Sequence, residues 1–63
     1  MKAKKELNIQ IGSRVKTARE TMRYTQENLA ERIDVSVQYI SDLERGVVGA
    51  SLPTIIKLCQ VLH

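Results

Sequence analysis

The chain has 63 residues, which is room for one small domain. A domain of this size buries only about 60% of its unfolded surface, so its stability is marginal, and scaffolds this small usually lean on a disulfide, a metal or a partner surface. The single cysteine, Cys59, excludes an internal disulfide, and with one histidine beside it a four-ligand zinc site is excluded too. Ten Lys and Arg stand against seven Asp and Glu, with a sequence pI of about 9.4. That excess suits a polyanionic partner without demanding one.

No apolar run approaches the roughly 20 residues of a membrane span. The basic N-terminus, Met1-Lys2-Ala3-Lys4-Lys5-Glu6, lacks the apolar stretch of a secretory signal. A free cysteine and no export signal point to a reducing cytoplasm. Cys59 itself reads as a small buried hydrophobe within an apolar stripe.

Residues 1–6 are charged and aperiodic and read as a flexible basic tail. Residues 7–63 form one helical domain. Leu7, Ile11, Val15, Ala18 and Met22 recur at intervals of three and four, which predicts an amphipathic helix over about 7–21. Arg14 falls on its solvated side. Thr25 can cap a second helix, whose first turn carries Glu27 where the helix dipole favours an anion. Leu29, Ala30 and Ile33 give its buried face, and the helix ends near Ile33. After a tight connection, Ser36 caps a third helix over about 37–45, with Ile40 and Leu43 inward and Val37 on the same side one turn earlier. Gly46 suits the left-handed residue that ends it. A loop of low polarity, Val47-Val48-Gly49-Ala50, leads to Ser51, the cap of a fourth helix with Pro53 in its first turn. Leu52, Ile55, Ile56, Cys59 and Leu62 continue the apolar pattern. The pattern stops at Leu62 and His63 without a cap, so the expectation is a truncated chain whose fifth helix, or a further C-terminal domain, would follow.

These elements make an all-α, compact domain of four to five helices. Two of the helices, within about 25–45, are separated by three residues and ended by Gly, which is the pattern of a helix-turn-helix. No catalytic set accompanies them. Cys59 and His63 are four residues apart, but the first is in the apolar stripe and the second is terminal. The carboxylates are scattered, there is no Gly-rich phosphate loop, and no cofactor is expected.

The stretch from Thr25 to Gly46 closely resembles the signature of the Xre-like helix-turn-helix family, which includes the phage repressors and Cro. Thr25-Gln26 with Leu29-Ala30 has the family spacing. So do Val35-Ser36 with Tyr39-Ile40-Ser41 and Glu44-Arg45-Gly46, and so does Ser51-Leu52 with Thr54, Leu58 and Leu62. Ser13-Arg14-Val15-Lys16-Thr17-Ala18-Arg19 looks like the family's first helix. The resemblance covers residues 8–62. The sequence departs from the family in carrying Arg23 and Asp34 where glycine is frequent, and an apolar loop after Gly46 where basic residues are frequent.

The resemblance implies a repressor-like, sequence-specific domain for double-stranded DNA, with no enzymatic activity, acting as a homodimer on a two-fold operator with helix three in the major groove. Gln26, at the first turn of helix two, would contact a phosphate. Gln38, at the exposed start of helix three, would read a base edge, since Gln pairs bidentately with adenine. Ser36, Val37, Ser41 and Asp42 join it as groove-facing candidates: Val37 toward a thymine methyl or else the core, Asp42 toward cytosine N4 or else solvent, Ser41 toward a base or a phosphate. Tyr39 would pack its ring on the domain and reach a phosphate with its hydroxyl, or lie in the core, and Tyr24 would be mostly buried. Arg19 and Glu44 match positions that form an internal ion pair. Lys2, Lys4 and Lys5 form either a backbone-following arm or a solvated tail. A second reading, of a different class, is a helical protein-interaction module that uses the same fold to hold a partner protein.

Overall fold

The computed structural model describes residues 2–62, with side chains from Lys5 onward. Four helices follow one another: α1 (Lys2–Thr21), α2 (Gln26–Ile33), α3 (Val37–Glu44) and α4 (Leu52–Val61). The described residues contain no strand. At 1.5 Å per residue the 20 residues of α1 are about 30 Å long. They therefore set the long dimension of a body measuring 31 × 20 × 20 Å. Residues 2–6, expected as a tail, have helical backbone and form the start of α1. Lys5 is exposed, while the side chains of Lys2 and Lys4 lie outside the described residues.

Three of the helices begin on a hydroxyl cap. Thr25 Oγ1 accepts the Asn28 N–H at 3.0 Å, and Asn28 Oδ1 accepts the Thr25 N–H at 3.1 Å, closing a capping box. Ser36 Oγ accepts from the Tyr39 N–H, and Ser51 Oγ from the Thr54 N–H. The helix ends repeat a different motif. At each of the first three, one N–H bonds back to a carbonyl three residues earlier, and the next N–H to one five residues earlier. The pairs are Arg23 to Glu20 with Tyr24 to Arg19, Asp34 to Glu31 with Val35 to Ala30, and Gly46 to Leu43 with Val47 to Asp42. This is the Schellman arrangement, and it needs a left-handed residue at its bend. Arg23, Asp34 and Gly46 supply it with φ of 61°, 59° and 78°.

Val15, Leu29, Ala30, Ile33, Ile40, Leu43 and Leu58 form the core. Its centre is the α2–α3 pair, where Leu29, Ile33, Ile40 and Leu43 are fully enclosed. Gly12 brings α1 onto α3: a Cβ placed there would stand 2.1 Å from the Leu43 carbonyl oxygen.

Some positions expected inside lie outside. Leu7 is 55% exposed, one turn before Ile11, which packs against the core. In α4 the buried residue is Leu58, with Ile55 and Leu62 half-buried beside it. Leu52, Ile56 and Cys59 are exposed: at about 100° per residue they share one face of the helix, each turned about 100° or more away from Leu58. Cys59 is thus a surface thiol and not a core residue. His63, four residues further along the chain, lies outside the described residues. Between α1 and α4 an open apolar groove is walled by Ile11, Val15, Ala18, Ile55, Leu58 and Leu62, with Arg14 and Cys59 at its edge. No helix is long and apolar enough to cross a membrane among the described residues.

Candidate nucleic-acid interface

The helix-turn-helix is built from α2, the turn Asp34-Val35-Ser36, and α3. Asp34 takes the left-handed backbone that reverses the chain, Val35 is half-buried under it, and Ser36 caps the next helix. This local chemistry fixes where α3 starts and which of its faces is left open. Ile40 and Leu43 point into the core. At about 100° per residue, Gln38, Asp42 and Arg45 line up within about 60° of one another on the side opposite that core. Ser41 and Val37 flank this stripe on one side and Tyr39 on the other.

Val37 is 43% exposed, so the inward position expected for it is not occupied. It stands in the first turn of the helix, ahead of the point where α3 meets the core, and its methyl groups are free to meet an apolar group in a groove. Ser36 and Gln38 are exposed, while Ser41, Asp42 and Tyr39 are half-buried. The Ser36 hydroxyl oxygen is engaged as the cap. The Tyr39 ring packs against the core and its hydroxyl donates to the Gly49 carbonyl at 3.4 Å, which ties α3 to the loop before α4.

Polar side chains on the stripe bond to one another. Gln38 Nε2 donates to Asp42 Oδ1 at 3.0 Å, and the Arg45 guanidinium donates to the same oxygen at 2.5 Å. Arg45 stands one residue past α3 and remains 61% exposed at its side chain. Arg45 is not among the residues expected on this face. Its position, three residues after Asp42 and seven after Gln38, is the signal that would have placed it on the same stripe.

A second network anchors α3 from behind. Arg19 Nε donates to Glu44 Oε2 at 2.6 Å and its NH2 group to Oε1 at 3.2 Å, a two-pronged contact between α1 and α3. The Arg19 NH1 group donates to the Tyr24 carbonyl at 2.7 Å. Gln26 Nε2 donates to Glu44 Oε1 at 3.0 Å, so α2 joins the same carboxylate. The hydrogen bond to Glu44 holds the Arg19 guanidinium above its already high range, against the pull of burial. Gln26 is half-buried at the first position of α2, with one amide hydrogen directed to Glu44 and the other uncommitted. Arg19 is buried and spent on these contacts, and Arg14 is exposed on the far side, at the groove. Tyr24 is half-buried under the Arg32 guanidinium, 4.4 Å from its ring centre.

The site residues therefore fall into two groups. Val37, Gln38, Ser41 and Asp42 lie together on the outer side of α3, with Ser36 exposed at its N-terminal cap and Tyr39 at its margin. Gln26 lies at the start of α2, joined to them through Glu44. Among the described residues, no group of three or more His, Cys, Asp or Glu is placed to hold a metal ion.

No curated protein and no solved structure matches the chain. A family model described as helix-turn-helix matches residues 15–63, which takes in the second part of α1, both helices of the motif and all of α4. The resemblance carried by Thr25, Gln26, Ser36 and Glu44-Arg45-Gly46, the four-helix architecture and this match agree, and the chain belongs to the Xre/Cro/CI-type helix-turn-helix regulators, a family of DNA-binding transcription regulators.

Proposed function

We propose that the chain is the sequence-reading domain of a transcriptional repressor, binding a two-fold operator in double-stranded DNA as a homodimer, with α3 in the major groove. The observation that carries this reading is the outer side of α3. A helix anchored by a buried ion pair turns Val37, Gln38, Ser41 and Asp42 outward, and these side chains have the donors, acceptors and methyl groups that base edges match. Gln38 reads adenine, Val37 meets a thymine methyl and Asp42 or Ser41 adds a further polar contact. Gln26 contacts a phosphate with its free amide hydrogen, assisted by the N-terminus of α2. The apolar, exposed side of α4 with Leu52, Ile56 and Cys59 supports pairing of two copies. The reducing cytoplasm is the compartment that goes with this role and with an exposed thiol.

Selection of bound sequences from a random duplex pool tests the reading. A palindromic consensus with half-sites about 10 base pairs apart is expected. A consensus without symmetry, or one protein per intact operator in sedimentation at saturation, overturns the dimer. A second reading, a module that grips a partner protein, is favoured by the apolar groove between α1 and α4. The two separate on binding to random duplex: a steep fall in affinity with salt belongs to the DNA reader alone.

A further inference from the structure

The stripe on α3 has an internal order that the DNA reading does not require. One carboxylate oxygen of Asp42 accepts from Gln38 four residues before it and from Arg45 three residues after it. We infer that Asp42 is a positioning residue that fixes the amide orientation of Gln38, and so the base Gln38 accepts, while holding Arg45 away from the phosphates. The inference rests on the DNA-binding reading above.

A side-chain amide has a donor end and an acceptor end of nearly the same shape, and its neighbours decide which way it points. A carboxylate only accepts. Asp42 therefore draws the nitrogen of Gln38 toward itself and leaves Oε1 and the second N–H as the groups Gln38 can turn to a base. That pair matches adenine, whose N6 donates and whose N7 accepts. Guanine shows two acceptors at the same edge, O6 and N7. To serve guanine, Gln38 would have to present both amide hydrogens, and one of them is held by Asp42. The negative charge of Asp42 adds to the bias against an edge made only of acceptors.

Arg45 follows from the same oxygen. Its guanidinium is largely exposed and paired with Asp42, where an unpaired one would seek a phosphate or a guanine edge. Asp42 thus restrains both a second cation on the DNA face and the wrong flip of the reading amide. Asp42→Asn keeps the size of the side chain and removes both effects, because an amide can accept from Gln38 or donate to it.

The test uses the 63-residue chain, the operator selected from the random pool, duplexes carrying each base at every half-site position, and random duplex at several salt concentrations. The wild type is expected to prefer adenine over guanine about tenfold at one position per half-site. Asp42→Asn should bring the two within a small factor there. Asp42→Glu, which restores an acceptor-only group, should retain the preference. Gln38→Ala should flatten the position, and Asp42→Asn added to it should change that position no further. The salt slope of Asp42→Asn on random duplex should steepen by about one, as Arg45 gains a phosphate. Asp42→Ala serves as a second removal of the acceptor, and a retained helical spectrum for each variant confines the effect to the DNA face. An unchanged base profile in both Asp42→Asn and Asp42→Ala, with the wild type still binding its operator, overturns the inference alone. A wild type that shows no duplex binding even at low salt overturns the DNA reading and this inference with it.

Discussion

Arg19 and Glu44, 25 residues apart, meet in a two-pronged contact that joins the last turn of α1 to the end of α3, with the Glu44 side chain only 3% exposed. The same carboxylate receives Gln26 from α2. One buried acidic group therefore sets the mutual position of all three helices that the DNA reading uses. A buried pair of this kind contributes little net stability against a well-packed apolar alternative, but removing one partner leaves the other charge stranded.

Arg19→Ala is accordingly expected to destabilise the domain by about 3 kcal/mol. That is a large share of the few kcal/mol available to 63 residues, and DNA affinity should fall with it. Denaturant unfolding of Arg19→Ala, Glu44→Ala and the double variant measures the coupling. Costs that simply add would show that the two residues act independently and would remove the pair from this role.

Gly12→Ala should also be costly, for a reason unrelated to helix propensity. Alanine is the better helix former by about 1 kcal/mol, so an isolated α1 would gain from the change. In the domain the new methyl group meets the Leu43 carbonyl at 2.1 Å, and backbone cannot turn aside as a side chain can. Overpacking of this kind costs about 1–3 kcal/mol, and here α1 must lift from α3 to relieve it. The melting temperature should fall by several degrees. An unchanged or higher melting temperature would show that α1 can shift on α3 at no cost.

Much of this fold was legible because its punctuation is local. Thr25, Ser36 and Ser51 are caps whose partners lie three residues away, so their sequence positions identify them. The faces of α2 and α3 followed from Leu29, Ile33, Ile40 and Leu43, since a short helix with one apolar side has only one way to pack. The fourth helix misled because it is apolar nearly all round. Leu52, Ile55, Ile56, Leu58, Cys59 and Leu62 cannot be sorted into inside and outside without the neighbouring helices. Gly12 was passed over for the same reason: its role lies in the Leu43 carbonyl it approaches, which spacing does not reveal. In the site, family spacing singled out Arg19 with Glu44 and the outer residues of α3. The sharing of Asp42 between Gln38 and Arg45 needed coordinates, because exposed polar residues at helical spacing have many possible partners.

Arg23→Gly is expected to stabilise. Arg23 occupies the bend of the first Schellman motif with a φ of 61°, where a side chain crowds the backbone and glycine does not. Relief of that crowding exceeds the extra freedom glycine gives the unfolded chain, for a net gain of about 0.5–1 kcal/mol. The same change at Asp34, with a φ of 59°, should give less, because Asp tolerates this backbone better. Thermal unfolding should rank Arg23→Gly above Asp34→Gly above wild type. A lower midpoint for Arg23→Gly would mean that the arginine side chain contributes more than its backbone costs.

The last expectation separates the two glutamines by what each is asked to do. Gln38 stands on the exposed stripe of α3 and Gln26 at the start of α2, held to Glu44. A bidentate glutamine–adenine contact discriminates by about 1–3 kcal/mol against the wrong base. Gln38→Ala should therefore flatten preference at one position per half-site and leave binding to random duplex almost unchanged. A phosphate contact fixes register and carries no direct sequence information. Gln26→Ala should weaken all duplexes by a similar factor. Gln26 is a neutral donor, so the dependence of affinity on salt, which counts cationic contacts, should hardly move. Because Gln26→Ala also takes a hydrogen bond from Glu44, its stability should drop by about 1 kcal/mol, and binding is best compared well below its melting temperature. Titrations of both variants against the operator, its single-base variants and random duplex, at two salt concentrations, provide the comparison. Full base preference retained in Gln38→Ala would transfer the reading role to Val37 or Asp42. A loss in Gln26→Ala confined to single positions would mean that Gln26 reaches a base.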